Sequence, residues 1–448
     1  MRDIILALVI IALLVKTLRQ VEFGAYLWAW LSLMNPHRMA FGFANSFPWA
    51  QSAALVALAS LLISKDRKPI PINGGVVALL LLWLWMSITS MVSINPPELV
   101  LERWIFVSKI FLMLVVTLMV IRGRVKIERL IWVVVISIGY FGFKGGIFTL
   151  MTGGSYKVWG PAGSMVEENN ALAVALIVIL PLIYYLRHVA TRPWLKQFLL
   201  IALILIGASI LGSQSRGALL GLLAMAFVLG SKSKNPVRFS LVLLMLIGAG
   251  IGFMPDTWTS RMDSIQDYGE DTSAMSRIYT WQTLWNVAID RPLVGAGFHA
   301  DTIALFEKYA PIDSKYDAVR GNAWVAHSIY FQALGEHGFV GLGLYLYIWL
   351  WVWFAAARLA KQAEKIPEYQ DWMPMLLRMC QVSTVGFCAG GAFLSLMTFD
   401  LPFYILALVS FCQCEIKDRA LRIAAAAVPT LNAGSAVAGP PGPVALAA

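Results

Sequence analysis

His327-Ser328, the nine residues from Ile329 to His337, and then Gly338-Phe339-Val340-Gly341 form the most chemically suggestive stretch of the chain. A neutral imidazole takes up a proton near neutral pH, so a histidine at the mouth of an apolar segment suits general-base work on a hydroxyl. Taken alone, an interfacial histidine such as His327 is more often structural. His337 follows ten residues later; on a straight helix, at about 100° per residue, the two rings diverge by roughly 80° and do not enter one small site together. Permanent cations come from two other places. The turn Gly212-Ser213-Gln214-Ser215-Arg216-Gly217 holds Arg216 between two apolar runs, and Arg277 lies in Ser276-Arg277-Ile278-Tyr279-Thr280-Trp281. A guanidinium offers a rigid fork of donors that fits phosphate oxygens. Arg216 has the alternative of anchoring to lipid head groups, and Arg277 that of pairing with a nearby carboxylate.

Weaker polar marks accompany these. Lys109 and Lys144 interrupt apolar runs, Arg103 and Asn170 stand near run ends, and Asp400 falls between the last two runs. His337, Asp400, Lys109, Lys144 and Asn170 can line a sugar or diphosphate site, or serve as interfacial anchors and helix caps. No Asp-x-Asp pair, HExxH, Walker loop or GxSxG elbow is present, so a metal-dependent reaction, an ATPase and a serine hydrolase lose support. No metal site and no cofactor are expected.

These residues need elements to hold them, and composition says which. The chain has 448 residues, 59% hydrophobic and only 13% charged, with a mean hydropathy of +0.72. Such a chain cannot clothe itself in polar surface. Its apolar residues fall in blocks of about 17–25, the length of a helix crossing hydrocarbon, without the alternation of a β-barrel. The expected fold is an all-α polytopic membrane protein of about twelve transmembrane helices. Basic clusters (Lys65 to Lys68, Arg122 to Arg129, Arg187 to Lys196, Lys232 to Arg238, Arg358 to Lys365, Lys417 to Arg422) mark one side as cytoplasmic. That pattern accounts for the net charge of +10 without nucleic acid. Alternation puts 93–102, 151–169, the 213–216 turn, the long loop 255–325 and Asp400 on the other side. The loop's ten acidic and six basic residues, the reverse of the inner loops, agree with this.

Four segments result: 1–254 as transmembrane helices, 255–325 as a large outer loop with short helices, 326–422 as transmembrane helices, and 423–448 as a disordered cytoplasmic tail. Within the loop, helical spacing over 274–289 predicts a surface helix stopped by Pro292 and Gly295. The first 50 residues carry two short apolar runs, read as one crossing plus a re-entrant or interfacial piece, so that both termini lie inside. Thirteen spans with an outer N-terminus is the alternative. The four cysteines lie in or beside late apolar runs and are expected as free thiols.

The His-Ser, nine residues, Gly-x-x-Gly pattern at 327–341, with the Ser215-Arg216-Gly217 turn and Arg277, resembles the O-antigen ligase family (WaaL type) of the O-antigen ligase and polymerase superfamily. The opening region, including Met34-Asn35-Pro36-His37-Arg38 and Phe47-Pro48-Trp49-Ala50-Gln51, is similar to the O-glycosylation ligases of exosortase-type systems. The resemblance covers nearly the whole chain except the tail. It implies a GT-C-like membrane glycosyltransferase of the bacterial inner membrane, with its site facing the periplasm. The implied donor is an undecaprenyl-diphosphate-linked glycan, the implied acceptor lipid A–core, and the transfer metal-independent and inverting. His327 would remove the acceptor proton, Arg216 and Arg277 would hold the leaving diphosphate, and Asp400 would orient His327 or the acceptor. Polymerisation of the same lipid-linked units and transfer to a protein hydroxyl are the neighbouring enzyme readings. A lipid-linked glycan transporter is the reading from another class; the absence of internal repeats weighs against it.

Overall fold

In a computed structural model, the structure describes residues 1–231 and 272–427, with isolated positions 235, 245, 248, 252 and 255 between them. The expected span at 239–254, the opening of the outer loop and the tail from 428 lie outside the described residues; 423–427 complete the last helix. Among the described residues the chain is all helix and turn, without strands. Six helices of the described residues are long and apolar enough to cross a membrane: α5 (Gly74–Met91), α6 (Pro97–Val120), α7 (Arg124–Met151), α8 (Asn169–Val189), α9 (Pro193–Gly212) and α13 (Ile329–Ala363). The chain is a helical, multi-pass membrane protein. Shorter apolar helices α4 (Trp49–Ile63) and α10 (Arg216–Ser231) pack among them, as do α14 (Met373–Gly391) and α15 (Asp400–Ala427). α8 is enclosed by α7, α9, α10 and α14. From Asn169 to Leu186 it presents almost no exposed residue, as expected for a helix apolar on all faces.

The first 34 residues depart from the expected topology. Helix α1 (Arg2–Arg19) and α2 (Glu22–Met34) form an antiparallel pair. Asp3 Oδ1 accepts from the amides of Gly42 and Ala44 at 2.9 and 3.1 Å. At the other end of α1 the Ser60 hydroxyl donates to Thr17 O at 2.7 Å, and Glu22 pairs with Lys126 at 3.0 Å. α1 therefore descends toward the end of the bundle that carries Lys65 and Lys126, and α2 returns. Met1 lies at the end opposite Lys65, as in the thirteen-span alternative and not as in the preferred reading. The physical reason is that α2 is walled by α1, α4, α6 and α7. At 13 residues it is only about 20 Å long, but a helix covered by protein needs no lipid-matching length.

The loop helix is α11 (Thr272–Asp290), followed by the turn-rich strap 291–298 and a short α12 (Ile303–Tyr309). Together with Tyr316, Val319 and Ala326 they share a small apolar core of their own. All four cysteines are free.

Candidate active site

His327 does not begin a helix. Ser328 is the N-cap of α13, its hydroxyl accepting from Phe331 N at 3.4 Å, which leaves His327 just outside with a left-handed backbone (φ 43°). A non-glycine residue is seldom found there, and such strain gathers at functional sites. Two contacts hold it. Its amide donates to Ser395 Oγ at 2.8 Å, and the carbonyl of Ala326 accepts from Trp281 Nε1 at 2.8 Å. Trp281 also stacks on Phe331, ring centroids 5.2 Å apart and planes 5° from parallel. Because Arg277 is one helical turn before Trp281 on α11, the same face that anchors to residue 326 carries the guanidinium toward His327. Burial, and after it the Arg277 charge, push the His327 pKa down to about 4. The imidazole is therefore neutral, able to accept a proton, at any ordinary pH.

Arg216 opens α10. A Cβ on its neighbour Gly217 would meet Phe393 at 3.1 Å; Phe393 lies 6.5 Å from Trp281 and two residues from Ser395. The segment 393–395 thus joins the Arg216 turn to His327. Beside that turn Asn169 Nδ2 donates to Ser213 O at 2.7 Å, so Asn170, next in α8, is near it too.

A cavity of about 210 Å³ lies next to the His327 backbone, lined by its neighbour Ala326 and by Ser395 but not by His327 itself. Its polar lining comes from Arg103, His299, Asp301, Gln332, Glu336 and Ser395. Arg103 donates to Thr398 Oγ1 at 2.9 Å. His299, again left-handed at φ 61°, has Nδ1 3.4 Å from Asp301 Oδ1. That hydrogen bond raises the His299 pKa against its own burial. Asp301 is held below the usual carboxylate range: burial works against ionisation, but the His299 bond and charge outweigh it. The histidine that lines the cavity and the one next to it are thus shifted in opposite directions. The sequence reading does not find His299, Asp301, Gln332, Glu336, Ser395 or Trp281; the His-x-Asp pair at 299–301 is the only local signal.

A kink in α13 makes this arrangement possible. Gly338 has φ 67°, ψ −169° inside the helix, a conformation reserved for glycine. There the strap takes over the helix's hydrogen bonds: Ala296 N donates to Gly335 O, Gly297 N to Glu336 O, and Phe339 N to Pro292 O, each 2.8 Å. Any Cβ at 338 would come within 2.3 Å of Leu293 O. The strap thereby sets His299 and Asp301 against the Gln332–Glu336 face.

The remaining candidates are elsewhere. His337 is fully buried, its Nδ1 2.8 Å from Thr89 Oγ1 and its ring edge-on to Phe298 at 4.8 Å. It braces α13 against α5 and does not line the polar cavity. Lys144 borders an apolar groove between α7 and α9. Asp400 and Lys109 line a second cavity that shares no residue with the first.

Residues 1–191 match a family of unknown function (DUF5935). Residues 198–346 match the family described as O-antigen ligase, a stretch that contains Arg216, Arg277, His299, Asp301, His327 and Glu336. No curated protein matches the chain. Residues 198–346, about a third of the chain, thus carry an O-antigen ligase domain.

Proposed function

We propose that this protein is the ligase itself: it transfers a glycan from an undecaprenyl-diphosphate carrier to a hydroxyl of lipid A–core at the periplasmic face of the inner membrane. The observation that carries the reading is that a buried, neutral imidazole on one element feels the guanidinium of another, with the turn that bears Arg216 connected to them by packing. His327 and Arg277 are electrostatically coupled, and the Arg216 turn joins them through Phe393 and Ser395. The acceptor hydroxyl loses its proton to His327 while its oxygen attacks the anomeric carbon from the face opposite the diphosphate. The bond from that carbon to the phosphate oxygen breaks, and the anomeric configuration inverts. Charge gathers on the departing diphosphate, where Arg216 and Arg277 stabilise it; one such preorganised donor contributes about 10²–10³ in rate. The cavity lined by Arg103, His299, Asp301, Gln332 and Glu336 supplies the polar groups that orient sugar hydroxyls. Two fixed guanidinium groups supply the positive charge that other transferases draw from a divalent ion, so EDTA leaves turnover unchanged. Strong inhibition reversed by magnesium or manganese would contradict that part.

The test is reconstitution in liposomes with a defined lipid-linked donor and three acceptors: lipid A–core, a second lipid-linked glycan, and a Ser/Thr-bearing protein. Transfer to lipid A–core, lost in His327→Ala, is the expected result. Lengthening of the lipid-linked glycan alone makes the protein a polymerase, transfer to protein alone makes it a protein glycosylase, and donor translocation without transfer makes it a transporter.

A further inference from the structure

The second cavity, of about 370 Å³, is built almost wholly by the N-terminal region and closed by Phe399-Asp400. It falls within the roughly 300–1,000 Å³ of small-ligand sites, and its chemistry is mixed in a telling way. Arg38, Lys109 and His37 bring positive or donor groups, Asp400 a carboxylate, and Trp28 and Phe106 aromatic surface. Asp400 is only 6% exposed; the Ser32 hydroxyl and nearby backbone amides support its carboxylate, but its Oδ2 has no hydrogen-bond partner among the described residues, and neither has the buried Nδ1 of His37. A buried carboxylate oxygen left without a donor is costly, so a ligand hydroxyl is the natural complement. Lys109 is twelve residues past Pro97, about 18 Å along α6 and near the middle of that apolar helix. A cation at such depth in a membrane helix marks a functional site, and it is reached by a molecule that itself lies in the bilayer.

We propose that this cavity binds the phosphorylated sugar headgroup of an anionic glycolipid, with phosphate on Lys109 and Arg38, a sugar hydroxyl donating to Asp400 Oδ2, and the sugar face against the aromatic wall. It deepens the proposed transfer by assigning the N-terminal region, outside the O-antigen ligase match, to holding the lipid substrate that bears phosphate on its sugar. Binding alone tests it, so its failure is separate from failure of the transfer reading.

The protein, in detergent micelles, is titrated with three probes: a lipid-anchored phosphorylated glucosamine disaccharide, the same lipid without phosphate, and soluble glucosamine 1-phosphate. The expected order is tight binding of the first and at least about tenfold weaker binding of the other two. Lys109→Gln and Arg38→Gln each weaken the first probe about tenfold, Asp400→Asn weakens the dephosphorylated lipid as well, and Arg277→Ala leaves binding of the first probe as it was. Thermal melting of each variant reports folding, and Lys109→Gln and Arg38→Gln alter open cavity walls without touching the core. Equal binding of the soluble probe overturns the lipid assignment. Loss of binding in Arg277→Ala with retention in folded Lys109→Gln puts the ligand beside His327 and Arg277 instead and overturns the proposal.

Discussion

At the scale of single residues, the site rests on burial acting on an imidazole. His327 loses its ability to take a proton only when already protonated. With the folded pKa pushed down to about 4, kcat/KM for transfer is expected to stay level from pH 8 to about 5 and to fall as pH drops through 4. An ordinary histidine would give that fall near 6.5. Arg277→Gln removes a positive neighbour, makes protonation easier, and moves the acid limb upward in pH; an unmoved limb in that variant would separate His327 from Arg277. His327→Ala is expected to lower kcat by about 10²–10⁴-fold, the usual contribution of a general base, with melting temperature unchanged. Ser395→Ala removes the single bond that pins the His327 amide. Losing about 1 kcal/mol of positioning there predicts a severalfold fall in kcat with KM near wild type, read by steady-state kinetics on the reconstituted protein.

At the scale of elements, the Gly-x-x-Gly that closes the histidine motif is a hinge held shut by the strap. Gly338→Ala forces a Cβ into φ 67° and against Leu293 O at 2.3 Å. Backbone strain of about 1–3 kcal/mol with that clash should lower the melting temperature and abolish transfer together, since the strap carries His299 and Asp301. Full activity in that variant would mean the kink is incidental. What the sequence makes legible follows the same division. His327 and Arg216 stand out because each is a costly group at a run end or a tight turn, whereas Arg277, within the loop helix, gains weight only in company with the histidine motif. Arg103, Gln332, Glu336 and Ser395 become neighbours only through contacts among α6, α13 and the segment after α14, which no local pattern encodes. Asp400 and Lys109 are legible as polar intrusions into apolar runs, but which cavity they enter depends on how α2 and α6 pack. The kink is hidden for a similar reason: glycine at 338 reads as a weak helix residue until the strap takes the freed carbonyls.

At the scale of the whole molecule, the directions of α1 and α2 decide where the chain begins. Basic-loop counting assigns an expected side to the later runs, but the N-terminal runs are short and flanked by both charges, so parity there rests on packing. The Asp3 bonds to Gly42 and Ala44 and the Ser60 bond to Thr17 tie opposite ends of α1 to opposite ends of the bundle. A single cysteine introduced before residue 5, in a chain whose four native cysteines are replaced, should react with a membrane-impermeant maleimide added to whole spheroplasts. One at Lys65 should react only after the membrane is opened. Protection of both to the same degree would mean that α1 does not cross, and the second cavity would then lose its roof, because α1 holds the 42–44 segment whose neighbours Asn45 to Gln51 line it. The N-terminal helices and the proposed lipid-headgroup site therefore stand or fall together, while the His327 site, built from α6, α10, α11, α13 and the segments 291–301 and 393–398, takes no residue from α1 or α2.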